Sequence, residues 1–129
     1  MNNLVVQKYG GTSVANTERF QAVADIVVES INDGVNVAVV VSAMAGETQR
    51  LIDLAKEIQA EPDPREFDAL VSSGEQVSAA LLAIALKERN FLSKSYTAHQ
   101  LGLKTDNVHG KARINSCLLY TSPSPRDLS

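Results

Sequence analysis

Lys8 closes the short apolar run Leu4-Val5-Val6-Gln7 and is followed by Tyr9-Gly10-Gly11-Thr12-Ser13. Two adjacent glycines carry no side chains, so backbone N–H groups there can approach an anion closely. A helix opening just after them adds donors and a partial positive charge. The Lys8 ammonium, at the end of the preceding strand, is placed to neutralise phosphate oxygens, where negative charge spreads in a phosphoryl-transfer transition state. The order of residues is neither GxxxxGK[ST], in which the lysine follows the glycines, nor GxGxxG. Taken alone, the glycine pair is also what a tight turn needs, with Lys8 a solvated charge.

A second glycine-bearing loop, Ser42-Ala43-Met44-Ala45-Gly46-Glu47-Thr48, has the same setting between an apolar run and a helical pattern. Ser42 and Thr48 offer hydroxyls that can cap a helix. Ser72-Ser73-Gly74-Glu75 reads as a capping box, with Ser at the cap and Glu reaching back to its N–H. His99 and His109 stand in polar surroundings and read as surface residues, Asp106 as a turn residue, and Arg65-Glu66 as a solvated helix start. No Cys/His spacing suggests zinc, and the single cysteine, Cys117, has no internal disulfide partner.

These residues need a scaffold, and the apolar pattern supplies one. Leu4 to Lys8 predicts a buried strand. Thr12 and Ser13 are placed to cap a helix whose inner face is Phe20, Val23, Val27 and Ile31. Asn32-Asp33-Gly34 ends that helix with a residue that tolerates positive φ. Val35 to Val41 predicts a strand covered on both faces, and about Glu47 to Ala60 a helix with Leu51, Leu54, Ala55 and Ile58 inward. Glu61-Pro62-Asp63-Pro64 is a break. Arg65 to Asn90 is helical again, interrupted at Ser72-Ser73-Gly74, with Val77, Ala80, Leu81, Ile84 and Ala85 buried. Phe91 to Tyr96 predicts a third strand, and Thr105 to Ile114 a loop or short hairpin. This order implies an α/β fold with a parallel sheet and helices on its faces. In such sheets ligands bind beyond the carboxyl ends of the strands, where both glycine loops lie.

Composition bounds the function. With 44% apolar and 21% charged residues the chain has a globular balance, not a disordered one. A formal charge of −3 argues against bulk attraction to nucleic acid or an anionic membrane surface. No apolar run reaches bilayer length and Met1-Asn2-Asn3 does not open a signal peptide, so the expectation is a cytoplasmic protein. Residues 116–129, Ser116 to Ser129 with its Ser-Pro pairs, have no helical period and would break a strand. They read as a disordered tail, either a natural C-terminus or non-native residues resembling a translated sequencing-adapter, with residues 1–115 as the native portion.

In order, the motifs resemble those of one family. Lys8-Tyr9-Gly10-Gly11-Thr12-Ser13-Val14 resembles the KFGGTSV opening of aspartate kinases, with Tyr for Phe. Ser42 to Thr48 resembles their SAMSGET loop, and Arg50-Leu51-Ile52 continues the likeness. Leu70-Val71-Ser72-Ser73-Gly74-Glu75-Gln76 resembles LVSTGEQ. Ser95-Tyr96-Thr97, Thr105-Asp106 and Lys111-Ala112-Arg113-Ile114 follow in the family's order, so the likeness runs from residue 3 to 114.

The resemblance implies the N-terminal part of a three-layer αβα sandwich with a mainly parallel sheet, the amino-acid kinase fold. It implies transfer of the ATP γ-phosphoryl group, with Mg²⁺ in the substrate complex, to the β-carboxylate of L-aspartate, giving 4-phospho-L-aspartate for lysine, threonine and methionine synthesis. Lys8 would be the catalytic lysine on the phosphates, with Gly10, Gly11 and Ser13 as the phosphate loop. Ser42 and Thr48 would lie near aspartate, and Glu75 would hold its α-ammonium. Nothing matches the family's adenine pocket, its later acidic residue or its ACT regulatory region. The expectation is a truncated chain, inactive alone, with an apolar unpaired sheet edge, and a homo-oligomeric full-length relative. The alternatives are another superfamily member, acting on glutamate, acetylglutamate or UMP, and a non-catalytic α/β binding or assembly module.

Overall fold

The computed structural model describes residues 3–105, 107 and 114–117. Strand β1 (Leu4–Tyr9) leads through a short 3₁₀ turn (Gly11–Val14) into helix α1 (Thr17–Asn32). Strand β2 (Asn36–Val41), helix α2 (Glu47–Ile58) and helix α3 (Pro64–Glu88) follow, then short strands β3 (Leu103–Thr105) and β4 (Ile114–Cys117). β1 and β2 pair in parallel without offset, Leu4 with Asn36 through Tyr9 with Val41. β3 and β4 pair antiparallel in a second small sheet.

Strand alternation explains which side chains the β1–β2 sheet buries. Tyr9 on β1 and Val37, Val39 and Val41 on β2 belong to the core, together with Phe20, Val23, Ala24 and Val27 of α1 and Leu82, Ala85 and Leu86 of α3. Each fully buried side chain of this size contributes about 1.5–3 kcal/mol. The intervening positions lie on the other face, and there Leu4, Val6 and Val40 are at least half exposed. The expectations of a buried strand at Leu4 to Lys8 and of a strand covered on both faces at Val35 to Val41 are therefore wrong for the described residues: α1 and α3 cover one face, and the opposite one is open.

The α1 stripe of Phe20, Val23 and Val27 is buried as the spacing predicts, and Gly34 ends the turn with φ +95°. The cap differs. Asn16, not Thr12 or Ser13, caps α1, its side-chain oxygen accepting from the Arg19 backbone N–H at 2.9 Å. α2 stops at Ile58 rather than Ala60, and of its expected inward residues only Leu51 is buried, while Ile58 is 90% exposed.

α3 runs unbroken through Ser72-Ser73-Gly74. The two serine hydroxyls donate to the Ala69 and Leu70 carbonyls, at 3.1 and 2.6 Å, so they bond along the helix instead of ending it. Asp63 and Pro64 start the helix where the proline break was expected, with the Asp63 carboxylate accepting from the Glu66 N–H at 3.1 Å. The buried positions are Gly74, Ser78, Leu82, Ala85 and Leu86. Of the predicted set only Ala85 is among them, and Val77 and Ile84 are exposed. Gly74 is on the inward face because α3 packs closely there on Ala43, Glu47 and Leu51, a fit that hydrophobicity alone does not encode.

Although no unbroken apolar run is long enough, α3 is by length and composition long and apolar enough to cross a membrane. Its contacts with α1, α2 and β2 make it the central helix of this fold. Phe91 to Tyr96 is not a strand; it continues from the α3 end without regular structure, tied back by the Ser93 hydroxyl donating to the Ala83 carbonyl at 2.8 Å. β3 and β4 flank the segment read as a loop or hairpin, and Ser116 and Cys117, expected in the tail, lie in β4. Asp106, His109, Lys111 to Arg113 and residues 118–129 lie outside the described residues.

Candidate active site

The in-register pairing of β1 and β2 makes both strands end level, so the two glycine loops leave the sheet side by side. The ladder extends into the second loop: the Ser42 N–H donates to the Tyr9 carbonyl at 3.1 Å. In the first loop the Ser13 N–H donates to the Gly10 carbonyl at 3.0 Å, closing the 3₁₀ turn. A Cβ on Gly11 would lie 3.4 Å from the Ala43 carbonyl oxygen and 3.9 Å from the Ala45 Cα. The absence of a side chain at Gly11 thus lets the two loops approach backbone to backbone.

The third motif closes on the same place. A Cβ on Gly74 would stand 2.9 Å from the Ala43 Cβ, 3.6 Å from the Glu47 Cγ and 3.6 Å from the Leu51 Cδ1. Ala43 is buried between Gly11 of the first loop and Gly74 of α3. Glu75, one residue on, is exposed beside this junction and makes no hydrogen bond or ion pair among the described residues.

Lys8 is also exposed and has no carboxylate partner among the described residues. Its neighbours fix its direction. The Tyr9 hydroxyl donates to Gln7 Oε1 at 2.7 Å, and Gln7 Nε2 donates to the Ser30 hydroxyl of α1 at 2.9 Å. Gln7 and Tyr9 are thereby held on the α1 side, and alternation sends Lys8 to the open face. Burial pushes the Tyr9 phenol above its ordinary pKa, which keeps it protonated and able to donate.

The helix-cap readings of the polar motif residues do not hold. Gly46, in the left-handed conformation with φ +80°, is the N-cap of α2, and no side chain caps that helix. Neither Ser42 nor Thr48 does so. Glu75 lies well inside α3, with no helix start at Ser72 to reach back to. Ser42 is half-buried and Thr48 exposed. The structure thus brings Gly10, Gly11, Ser13, Ser42, Thr48 and Glu75 to one end of the sheet through the Gly11–Ala43–Gly74 packing, with Lys8 on the strand that feeds it.

Arg50 holds Glu47 at two points, Nη2 to Oε1 at 2.6 Å and Nε to Oε2 at 3.0 Å. These bonds, more than the charge attraction, hold the Glu47 carboxyl below its ordinary range and raise the Arg50 guanidinium. The i,i+3 spacing of opposite charges was the available signal. No group of three or more His, Cys, Asp or Glu side chains among the described residues forms a candidate metal site.

A sequence model of the amino acid kinase family matches residues 3–119. An aspartate kinase of Stutzerimonas stutzeri is 55% identical over 111 residues, which is 86% of this chain and 27% of that protein. An aspartokinase of Geobacillus stearothermophilus is 50% identical over the same share of each. The chain thus spans about a quarter of the length of the curated relatives it matches. Among solved structures, the aspartate kinase of Synechocystis superposes with a TM-score of 0.74 at 49% identity, covering 77% of this chain and 17% of that one. E. coli aspartokinase III in complex with aspartate and ADP superposes at 0.73 with 25% identity, covering 88% and 35%. The parallel β1–α1–β2 unit, the paired glycine loops and a family match over nearly the whole chain lead to one assignment: the chain belongs to the amino acid kinase family.

Proposed function

We propose that this chain is the aspartate-binding and phosphate-loop portion of an aspartate kinase, acting in the cytoplasm at the entry to lysine, threonine and methionine synthesis. One observation carries the reading: Ala43 of the second loop is packed between Gly11 of the first and Gly74 of α3. That packing gathers three separate sequence motifs at the carboxyl end of the sheet, where ligands of α/β folds bind. The E. coli relative, whose structure holds aspartate and ADP, supports the substrate pair.

In this reading a β-carboxylate oxygen of L-aspartate attacks the γ-phosphorus of ATP, the β–γ bridging P–O bond breaks, and ADP leaves with the electron pair. The acceptor is already an anion, so no general base is required. Catalysis rests on alignment and on neutralising the equatorial oxygens. Lys8 supplies the positive charge, and Gly10, Gly11 and Ser13 supply donors to the phosphates. Mg²⁺ enters as part of the nucleotide substrate. Glu75 holds the α-ammonium, and Ser42 and Thr48 contact the bound amino acid. The chain spans about a quarter of the length of the relatives it matches, so these residues account for one part of the active site.

The test is a chimera in which residues 3–114 replace the matching segment of the Stutzerimonas stutzeri enzyme. ADP release that depends on aspartate, and not on glutamate, is the expected result. A folded chimera that releases no ADP with aspartate, or that prefers glutamate, refutes the proposal.

A further inference from the structure

We propose that Arg50 is a charge-masking residue for the amino-acid subsite: by gripping Glu47 at two points, it keeps a surplus carboxylate from opposing an anionic substrate. The inference rests on the aspartate kinase reading and concerns residues to which that reading gives no role.

Glu47 opens α2, directly after the left-handed Gly46 and directly before Thr48. Its side chain lies over Gly74, 3.6 Å from where a Cβ there would be, and so next to the turn bearing Glu75. The Glu47 N–H donates to the Met44 carbonyl at 2.9 Å and the Arg50 N–H to the Gly46 carbonyl at 3.0 Å, so the backbone beneath the pair is fixed. A carboxylate here stands beside the groups that receive the substrate. Free aspartate carries a net negative charge, and Glu75 is a single partner for its single ammonium. A second, unmasked carboxylate adds repulsion without adding a needed contact.

Arg50 removes that repulsion. Its fork meets both oxygens of Glu47, and a planar two-point grip leaves the pair neutral. Arg50 is itself 59% exposed, so its value as a stabilising ion pair is small. A masking role does not need a strong bond; it needs the opposite charge to stay in place. At about 8 Å, in a dielectric between protein surface and bulk water, an uncompensated unit charge weakens binding of another roughly threefold.

The experiment uses the same chimeric enzyme with Arg50→Ala, Glu47→Gln and the double variant, reading KM for aspartate and kcat at low and high salt. Arg50→Ala is expected to raise KM for aspartate about threefold at low ionic strength, with kcat unchanged and the effect fading in ~0.5 M salt. The double variant is expected to return to the parent value, because the charge to be masked is gone. Arg50→Gln, which keeps more of the side-chain volume, should behave as Arg50→Ala. An unchanged KM, a lowered KM, or an equal rise in the double variant overturns the inference while leaving the aspartate kinase reading intact. A folded parent chimera with no aspartate-dependent ADP release overturns both.

Discussion

Gly74 and Ala43 touch so closely that a side chain on the glycine would stand 2.9 Å from the alanine Cβ. This contact joins α3 to the second loop, and the same alanine faces Gly11 of the first loop. Gly74→Ala is therefore expected to lower stability by about 1–3 kcal/mol through overpacking. Ala43→Gly in the same chain should recover part of the loss. Urea denaturation of the single and double variants in the chimera measures the coupling.

Arg89 clamps α3 to α1. Its guanidinium donates to Asp25 Oδ1 at 2.9 Å, Gln21 Oε1 at 2.7 Å, the Ala85 carbonyl at 2.9 Å and the Gln21 carbonyl at 3.2 Å. Asp25 is largely exposed, so most of the value lies in the uncharged bonds. Arg89→Ala should cost about 1–2 kcal/mol, and Arg89→Lys should recover little, because an ammonium does not reproduce the fork. Insensitivity of this loss to ~0.5 M salt would separate the carbonyl bonds from the ion pair.

Ser78 is fully buried in α3, and its hydroxyl has no hydrogen-bond partner among the described residues. Ser78→Ala removes an unsatisfied polar group at little change in volume, and should raise stability by about 1 kcal/mol. A fall in melting temperature on that substitution would mean that the hydroxyl is bonded after all.

The open face of the β1–β2 sheet carries Leu4, Val6 and Val40, and an apolar cavity of about 580 Å³ lies along β2 beside Leu82, Leu86 and Phe91. Such a surface is expected to drive self-association of the 129-residue chain and binding of apolar dyes. Val6→Lys with Val40→Lys should reduce light scattering and dye fluorescence without lowering helix content.

Much of this was legible from residue order. The α1 stripe, the β1–β2 strands and both glycine loops follow from periodicity and from where apolar runs stop. What periodicity missed has local physical causes. Ser72-Ser73-Gly74 resembles a helix start, yet the serine hydroxyls bond back to carbonyls of the preceding turn and the helix continues. The buried face of α3 includes Gly74 and Ser78, small residues that an apolar pattern passes over, whereas Val77 and Ile84 of that pattern are exposed. Phe91 to Tyr96 has strand-like composition but no pairing partner among the described strands. For the candidate site, the motifs supplied the candidate residues, whereas the Gly11–Ala43–Gly74 contact that joins the three motifs is a tertiary fact that no spacing reveals.

The roles of Lys8 and Glu75 are read out by ADP release from the chimeric enzyme, measured with and without aspartate for the parent, Lys8→Ala and Glu75→Gln. The expected result is an active parent, a kcat lowered about 10²-fold or more by Lys8→Ala, and a KM for aspartate raised about tenfold or more by Glu75→Gln. A parent that is active while both variants keep its kcat and KM would contradict the assignment of these residues.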